Sequence, residues 1–143
     1  MAGDIRGLAY IIDGDTIDVA GTRIRLNGID APESAQTCLI ASRSWRCGAA
    51  ATDALAGILR GHGVRCEPTG IDRYHRTLAH CRRAGDNLDI NGWMVREGWA
   101  VAYRQYSYAY MPDEMLARLA DRGLWAGTFE MPWDFRHHVR AYR

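Results

Sequence analysis

The chain has 143 residues, of which 48% are hydrophobic and 24% charged, with a formal net charge of +1. This length and composition fit one globular domain with a hydrophobic core and exclude a largely disordered chain. No apolar run approaches the roughly 18 residues of a membrane-spanning helix. All 18 basic residues are arginine, which GC-rich codon usage explains most simply, although guanidinium groups also suit phosphate binding.

Three β-strands are predicted in the first 33 residues. An apolar run at residues 8–12 ends at the turn signal Asp13-Gly14-Asp15, and a second strand follows up to residue 19. In the third strand, apolar Ile24 and Leu26 alternate with Arg23 and Arg25, so one face is apolar and the other carries guanidinium groups.

The rest of the chain alternates between loops, helices and strands. Residues 34–47 lack periodicity and are predicted to form a long loop. An apolar stripe of Met115, Leu116 and Leu119 predicts the inner face of the last helix. The predicted helices are residues 49–59, 88–97 and 112–122, the later strands are an antiparallel pair at residues 64–67 and 77–81, and residues 99–103 are extended.

Four cysteines in so short a chain favour two disulfides over a zinc site, because no CxxC pair is present. Three pairings are possible, and we predict Cys38–Cys47 and Cys66–Cys81, each of which closes a short loop. Four buried thiols in a reducing compartment are the alternative. With disulfides we expect a secreted or periplasmic protein whose signal peptide has been removed, so that residues 1–3 are not a natural start.

Four acidic residues, Asp13, Asp15, Asp30 and Glu33, lie around turns and strand ends that a sheet can bring together. Carboxylates that share a pocket repel one another unless a cation neutralises them. Their oxygens suit Ca²⁺ or Mg²⁺ rather than zinc. A metal site is one interpretation; the other is that these residues only form turns, as Asp-Gly pairs commonly do.

Two arginines near these acids favour phosphate chemistry. Arg25 lies on the polar face of the third strand and Arg76 at the start of a later one. The transition state of phosphodiester cleavage carries extra negative charge, which a metal ion, guanidinium groups or both must stabilise. Taken singly, each arginine is more simply a solvated surface charge.

Five sequence blocks resemble those of the thermonuclease (staphylococcal-nuclease-like) family. They are residues 12–16 (IDGDT), 25–33 (RLNGIDAPE), 72–78 (DRYHRTL), 98–103 (GWAVAY) and 123–125 (GLW). The cysteines and Trp45 resemble a bacterial branch of that family. The resemblance implies a mainly β fold with packed helices (α+β), a five-stranded OB-fold barrel with about three helices. We expect a single domain over residues 1–143, with its core at about 5–127 and a tail at 128–143.

The resemblance also implies a metal site. Asp15 and Asp30 would bind Ca²⁺ through their carboxylates, and Ala31 would add its backbone carbonyl, where the best-known member of the family has threonine. Asp13 would support the metal site without binding the ion directly. Ca²⁺ is the implied cofactor, with Mg²⁺ or Mn²⁺ as alternatives.

Catalytic and substrate-binding roles follow from the same resemblance. Glu33 would act as the general base or orient the attacking water. Arg25 and Arg76 would hold the scissile phosphate and stabilise the transition state, and Tyr74 and Tyr103 would line the nucleotide site. Two departures bear on activity. A histidine, residue 75, precedes Arg76 where glycine is usual, and the Cys38–Cys47 loop replaces a flexible lysine-rich one.

The family hydrolyses DNA and RNA with little sequence preference and leaves 3′-phosphate ends, which implies the same activity here. We expect a monomer with nucleic acids as substrates and no membrane partner. Two other functions stay open. One is a catalytically silent OB-fold module that binds nucleic acids or peptides, and the other is a protein whose acidic residues form only a structural calcium site.

Overall fold

A computed structural model describes residues 3–141 of the chain. These residues contain nine strands and four α-helices. The strands are β1 (Ile5–Asp13), β2 (Thr16–Val19), β3 (Thr22–Leu26), β4 (Ile29–Asp30), β5 (Cys38–Ile40), β6 (Arg43–Trp45), β7 (Gly63–Ile71), β8 (Thr77–Arg83) and β9 (Val101–Ala102). The helices are α1 (Cys47–Leu59), α2 (Ile90–Arg96), α3 (Met111–Leu119) and α4 (Pro132–Ala141), and a 3₁₀ turn covers Gly123–Ala126.

Five strands close into a barrel in the order β1-β2-β3-β8-β7. Neighbouring strands are antiparallel except β3 and β8, whose parallel pairing closes the barrel. Side chains that alternate inward, among them Ile17, Ile24 and Val64, are fully or almost fully buried. The predicted α+β fold with a five-stranded OB-type barrel is confirmed.

Both predicted disulfides are present. Cys66 and Cys81 lie directly opposite each other on β7 and β8 and are bonded inside the barrel core. Cys38 and Cys47 join the start of β5 to the start of α1. The second disulfide belongs to a smaller apolar cluster outside the barrel, which also contains Leu124 and packs against the segment leading into α4.

Two parts of the chain differ from the sequence prediction. The predicted loop at residues 34–47 contains a hairpin, β5–β6, which is too short to show a period of two. The tail after residue 127 contains α4, a fourth helix. The described residues do not include Met1 and Ala2, so the expectation that residues 1–3 are not a natural start stays a prediction. They also do not include the last two residues of the tail.

Helix α3 also presents a different face from the predicted one. Met115, Leu116 and Leu119 are exposed, whereas Glu114 and Ala117 are buried. The reason is a hydrogen bond, since the Glu114 carboxylate accepts from the backbone N–H of Ala102 at 3.0 Å and so turns this side of the helix toward β9. Within residues 3–141, no helix combines the length and apolarity needed to cross a membrane.

Candidate active site

The predicted metal, catalytic and substrate-binding residues, apart from Asp30, line a cavity of about 520 Å³ at one end of the barrel. Its walls come from the ends of β1 and β3, the loop after β4, the loop between β7 and β8, and α4. The predicted residues that line it are Asp13, Asp15, Arg25, Ala31, Glu33, Tyr74, Arg76 and Tyr103. The Asp30 side chain is fully buried.

Arg25 occupies the floor of the cavity with its guanidinium group buried. Its Nη1 donates to the backbone carbonyl oxygens of Leu26 and Ile29 at 3.2 and 2.9 Å. The same group lies 3.5 Å from Asp15 Oδ2 and 3.2 Å from Asp30 Oδ1. Two of the predicted metal ligands therefore flank one guanidinium group, which its hydrogen bonds to the backbone hold in place.

Asp15 lies at the end of the turn that leads into β2 and is almost completely buried. Its carboxylate accepts from the backbone N–H of Ala31 at 2.8 Å and from the Thr16 hydroxyl at 3.1 Å. Burial opposes ionisation, but the charge of Arg25 and these hydrogen bonds hold the pKa of Asp15 below its usual range. Asp15 is thus held as a carboxylate.

Asp13 stands behind Asp15 and accepts from its backbone N–H at 3.1 Å. Burial, together with the charge of the neighbouring Asp15, raises the pKa of Asp13 to about 7. Asp13 therefore supports the turn that presents Asp15, and it carries less charge at neutral pH than the other acids.

Asp30 is fully buried on β4, where pairing with Val101 of β9 fixes its backbone. Arg136 of α4 binds this carboxylate with both terminal nitrogens, Nη1 to Oδ1 at 2.8 Å and Nη2 to Oδ2 at 2.9 Å. Burial raises the pKa of Asp30 to about 6, although the hydrogen bonds from Arg136 act to lower it. Asp30 is therefore ionised at neutral pH and paired with two arginines.

Glu33 is partly exposed at the cavity wall. Its Oε1 accepts from Arg136 Nη1 at 2.9 Å. Its backbone N–H donates to the side-chain carbonyl of buried Gln36 at 3.2 Å, and the Gln36 amide in turn donates to the Glu130 carbonyl at 2.7 Å. Gln36 thus ties the Glu33 loop to the segment that leads into α4.

Arg76 reaches the cavity from the loop between β7 and β8. Asp72 accepts from the backbone N–H and the side-chain Nε of Arg76, at 3.0 and 2.8 Å. His75 has a φ of 63°, so the position does require the left-handed conformation that glycine adopts without strain. Arg76 nevertheless lines the cavity.

Aromatic rings form the remaining wall. Tyr103, directly after β9, stacks on Trp133 of α4 with ring centroids 5.1 Å apart and planes inclined by 20°. Tyr106 packs edge-on against the same tyrosine. Tyr74 lies beside the guanidinium groups of Arg73 and Arg76. These rings offer stacking surfaces of the kind that unpaired bases use.

The acidic residues suit a hard divalent cation in their chemistry. Asp15 and Asp30 both contact Arg25 and offer carboxylate oxygens, and Glu33 meets Asp30 through Arg136. Within residues 3–141, however, no three acidic, histidine or cysteine side chains form a ready-made metal cage. An ion held by Asp15 and Asp30 would need a backbone carbonyl, such as that of Ala31, and solvent to complete its ligands.

Three residues that the sequence analysis missed shape the site, namely Arg136, Asp72 and Gln36. The spacing of Trp133 and Arg136 was a usable signal, because residues three apart share one helix face. Pro132 at the first helical position and Asp134 in the first turn are typical of a helix start. Nothing in the sequence indicated that Gln36 would be buried.

The chain is similar in sequence to a known protein family and to several nucleases. Residues 23–127 match the family model described as "Staphylococcal nuclease homologue". An uncharacterized endonuclease from Escherichia coli O157:H7 is 35% identical over 96% of this chain and 88% of its own length. A micrococcal nuclease from Shigella flexneri is 36% identical over 93% of this chain and 81% of its own.

A further relative is a succinoglycan biosynthesis protein, ExoI, from Rhizobium meliloti. It is 45% identical over 70% of this chain, and the match covers 53% of its own length. The chain therefore spans about half of that relative and most of the two nucleases.

Proposed function

The chain belongs to the staphylococcal nuclease homologue family, and we propose that its cavity hydrolyses phosphodiester bonds of nucleic acids. The observation that carries the proposal is the meeting of opposite charges in one cavity. The residues that line it include two arginines and two acids, namely Arg25, Arg76, Asp15 and Glu33. Buried Asp30 contacts Arg25. A nuclease needs cationic groups for the phosphate and a base for water, and this cavity supplies both.

The arginines bind and polarise the phosphate. A guanidinium group donates two parallel hydrogen bonds to phosphate oxygens, and its effect is greatest when its position is fixed before the reaction. Arg25 is fixed by two backbone carbonyls and Arg76 by Asp72. Neither side chain therefore has to reorganise greatly as charge develops on the phosphate.

Glu33 takes the proton of the attacking water. Its side chain is 33% exposed, against 10% for Asp15 and 0% for Asp30. A carboxylate in this position can accept a proton and return it to solvent. A divalent ion held by Asp15 and Asp30 would supply further charge stabilisation for the phosphate.

We propose Ca²⁺ as that ion, with Mg²⁺ and Mn²⁺ as alternatives, and both DNA and RNA as substrates with 3′-phosphate products. Hard carboxylate oxygens support the choice of ion. The cavity is lined mainly by polar and charged residues, and Tyr74 and Tyr103 line it with stacking surfaces that do not distinguish one base from another.

The direct test is hydrolysis of single-stranded DNA with and without Ca²⁺, using the full chain and a Glu33→Gln variant. We expect hydrolysis that a chelator stops, and a loss of about a thousandfold in rate for the variant, because a general base contributes roughly 10²–10⁴-fold. Affinity for DNA should change little. Exposed Glu67 on β7 provides the control Glu67→Gln, which should keep full activity.

The same experiment separates the other two functions. A silent binding module would bind DNA but not cleave it under any divalent ion, and Glu33→Gln would then change nothing. A purely structural calcium site would raise the melting temperature with Ca²⁺ while cleavage stayed absent. Either result would overturn the proposed nuclease.

The two disulfides support a second proposal, that the protein works in the periplasm or outside the cell. We propose separately that it is a monomer. Disulfides persist in oxidising compartments and are rare in reducing ones. Fractionation of the source cells should find the protein outside the cytoplasm, and it should elute at the size of one chain. Cytoplasmic protein with four reduced thiols would contradict this localisation.

A further inference from the structure

Helix α4 places a positive charge on the carboxylates that the proposed reaction needs. Arg136 binds both oxygens of Asp30 and one oxygen of Glu33, at 2.8 to 2.9 Å. This guanidinium group is about three-quarters buried, with 26% of its side chain exposed. Asp30 is the proposed ion ligand and Glu33 the proposed base, so a single residue covers both.

We propose that α4 is an autoinhibitory element in which Arg136 takes the place of the divalent cation, so that ion binding and docking of α4 exclude each other. This inference rests on the proposed function. In the docked state the guanidinium group neutralises Asp30 and Glu33. When the ion binds Asp30, Arg136 leaves and α4 separates from the cavity.

The competition follows from the oxygens involved. A carboxylate whose two oxygens each accept a short hydrogen bond from one guanidinium group has little capacity left for a cation on the same side. Asp30 already accepts a further bond from Arg25 at 3.2 Å. An ion at Asp30 therefore has to displace Arg136, since Arg25 is held by the barrel backbone.

Arg136 also suppresses the proposed base. Arg136 Nη1 donates to Glu33 Oε1 at 2.9 Å. Water approaching Glu33 must share the oxygen that Arg136 already contacts. Docking thus blocks ion binding and proton transfer together.

The attachment of α4 allows such a release. Arg136 of α4 lines the cavity, and Trp133 stacks on Tyr103 and packs against the apolar cluster around the Cys38–Cys47 disulfide. The chain before the helix is fixed independently, because Thr128 pairs with Leu39 in both backbone directions and Gln36 holds the Glu130 carbonyl. The helix can therefore undock while residue 130 stays in place.

Calorimetric titration with Ca²⁺ tests the competition without any activity measurement. The proteins are the full chain, Arg136→Ala, Arg136→Lys and the control Arg60→Ala, which removes an exposed charge outside the cavity. We expect Arg136→Ala to bind Ca²⁺ at least about tenfold more tightly, as for a site that is docked shut nine-tenths of the time. A lysine ammonium keeps the charge but cannot make the parallel pair of hydrogen bonds to the two oxygens of Asp30, so Arg136→Lys should be intermediate.

Hydrogen exchange of the unaltered protein gives a second readout that needs no variant to fold. Adding Ca²⁺ should speed exchange of the amides at residues 133–139 while the barrel strands keep or gain protection. Equal Ca²⁺ affinity for all four proteins would overturn the proposed autoinhibition. So would a hydrogen-exchange rate in α4 that does not change when Ca²⁺ is added. Neither result would overturn the proposed nuclease function. Absence of Ca²⁺ binding to every protein would overturn the proposed metal site as well.

Discussion

Asp72 determines where Arg76 points, although it takes no part in the proposed chemistry. Its carboxylate accepts from the backbone N–H groups of Tyr74 and Arg76 and from the Arg76 side chain. Burial opposes ionisation, but these hydrogen bonds and the charge of Arg76 lower the pKa of Asp72 below its ordinary value of 3.8. One carboxylate therefore shapes the loop and positions the arginine.

An Asp72→Asn variant tests this role through its dependence on pH. A depressed pKa contributes stability above the unfolded value, 3.8, and this contribution is lost as pH falls through the folded value. We expect the variant to be less stable by about 1–2 kcal/mol at pH 7, with the difference narrowing below pH 3.8. Urea unfolding of both proteins measures it.

Exposed Asp53 on α1 offers the matched control, since Asp53→Asn removes one carboxylate away from the loop. The difference in unfolding free energy between Asp53→Asn and the unaltered protein should be nearly the same at every pH. If the loss of stability in Asp72→Asn stayed the same below pH 3.8, the charge of Asp72 would not be what holds the loop.

The start of α1 is pressed against the Glu33 loop. A Cβ atom at Gly48 would lie 1.7 Å from the backbone carbonyl oxygen of Glu33, a distance at which the backbone has to move. The disulfide at Cys47 and the hydrogen bond from the Gly48 N–H to the Gln36 carbonyl fix the same junction. The helix thus sets the position of the proposed base.

Replacing Gly48 with alanine should therefore displace Glu33. We expect Gly48→Ala to lose about 1–3 kcal/mol of stability through overpacking, together with most of the nuclease activity. In the same helix, a Cβ at Gly57 meets nothing within 4 Å, so Gly57→Ala should be neutral or stabilising by up to about 1 kcal/mol. Thermal melts and DNA hydrolysis assays measure both variants. A fully active Gly48→Ala variant would contradict the claim that the start of α1 sets the position of Glu33.

At the scale of the whole molecule, the barrel could be predicted because five sequence blocks resemble those of the thermonuclease family, which implies a five-stranded OB-fold barrel. The opposing positions of Cys66 and Cys81 followed from pairing two adjacent strands. The face of α3 could not be predicted, because the contact that orients it joins Glu114 to the backbone of Ala102. Apolar periodicity carries no information about such a polar contact.

The contribution of α4 was missed for a similar reason. Arg136 meets Asp30 across 106 residues and Glu33 across 103. Local spacing indicates that Trp133 and Arg136 share one helix face, but not that this face folds back onto the cavity. The sequence indicated the reactive groups of the barrel. The element that covers them became visible only from the arrangement in space.

The central claim is that fixed guanidinium groups in this cavity stabilise the charge that develops on a scissile phosphate. Single-turnover hydrolysis of single-stranded DNA by Arg76→Lys tests it, with exposed Arg82→Lys on β8 as the control. We expect Arg76→Lys to lose a factor of about 10²–10³ in rate, as for the removal of one fixed transition-state donor, and Arg82→Lys to cleave normally. Equal rates for the unaltered protein and Arg76→Lys would contradict the claim.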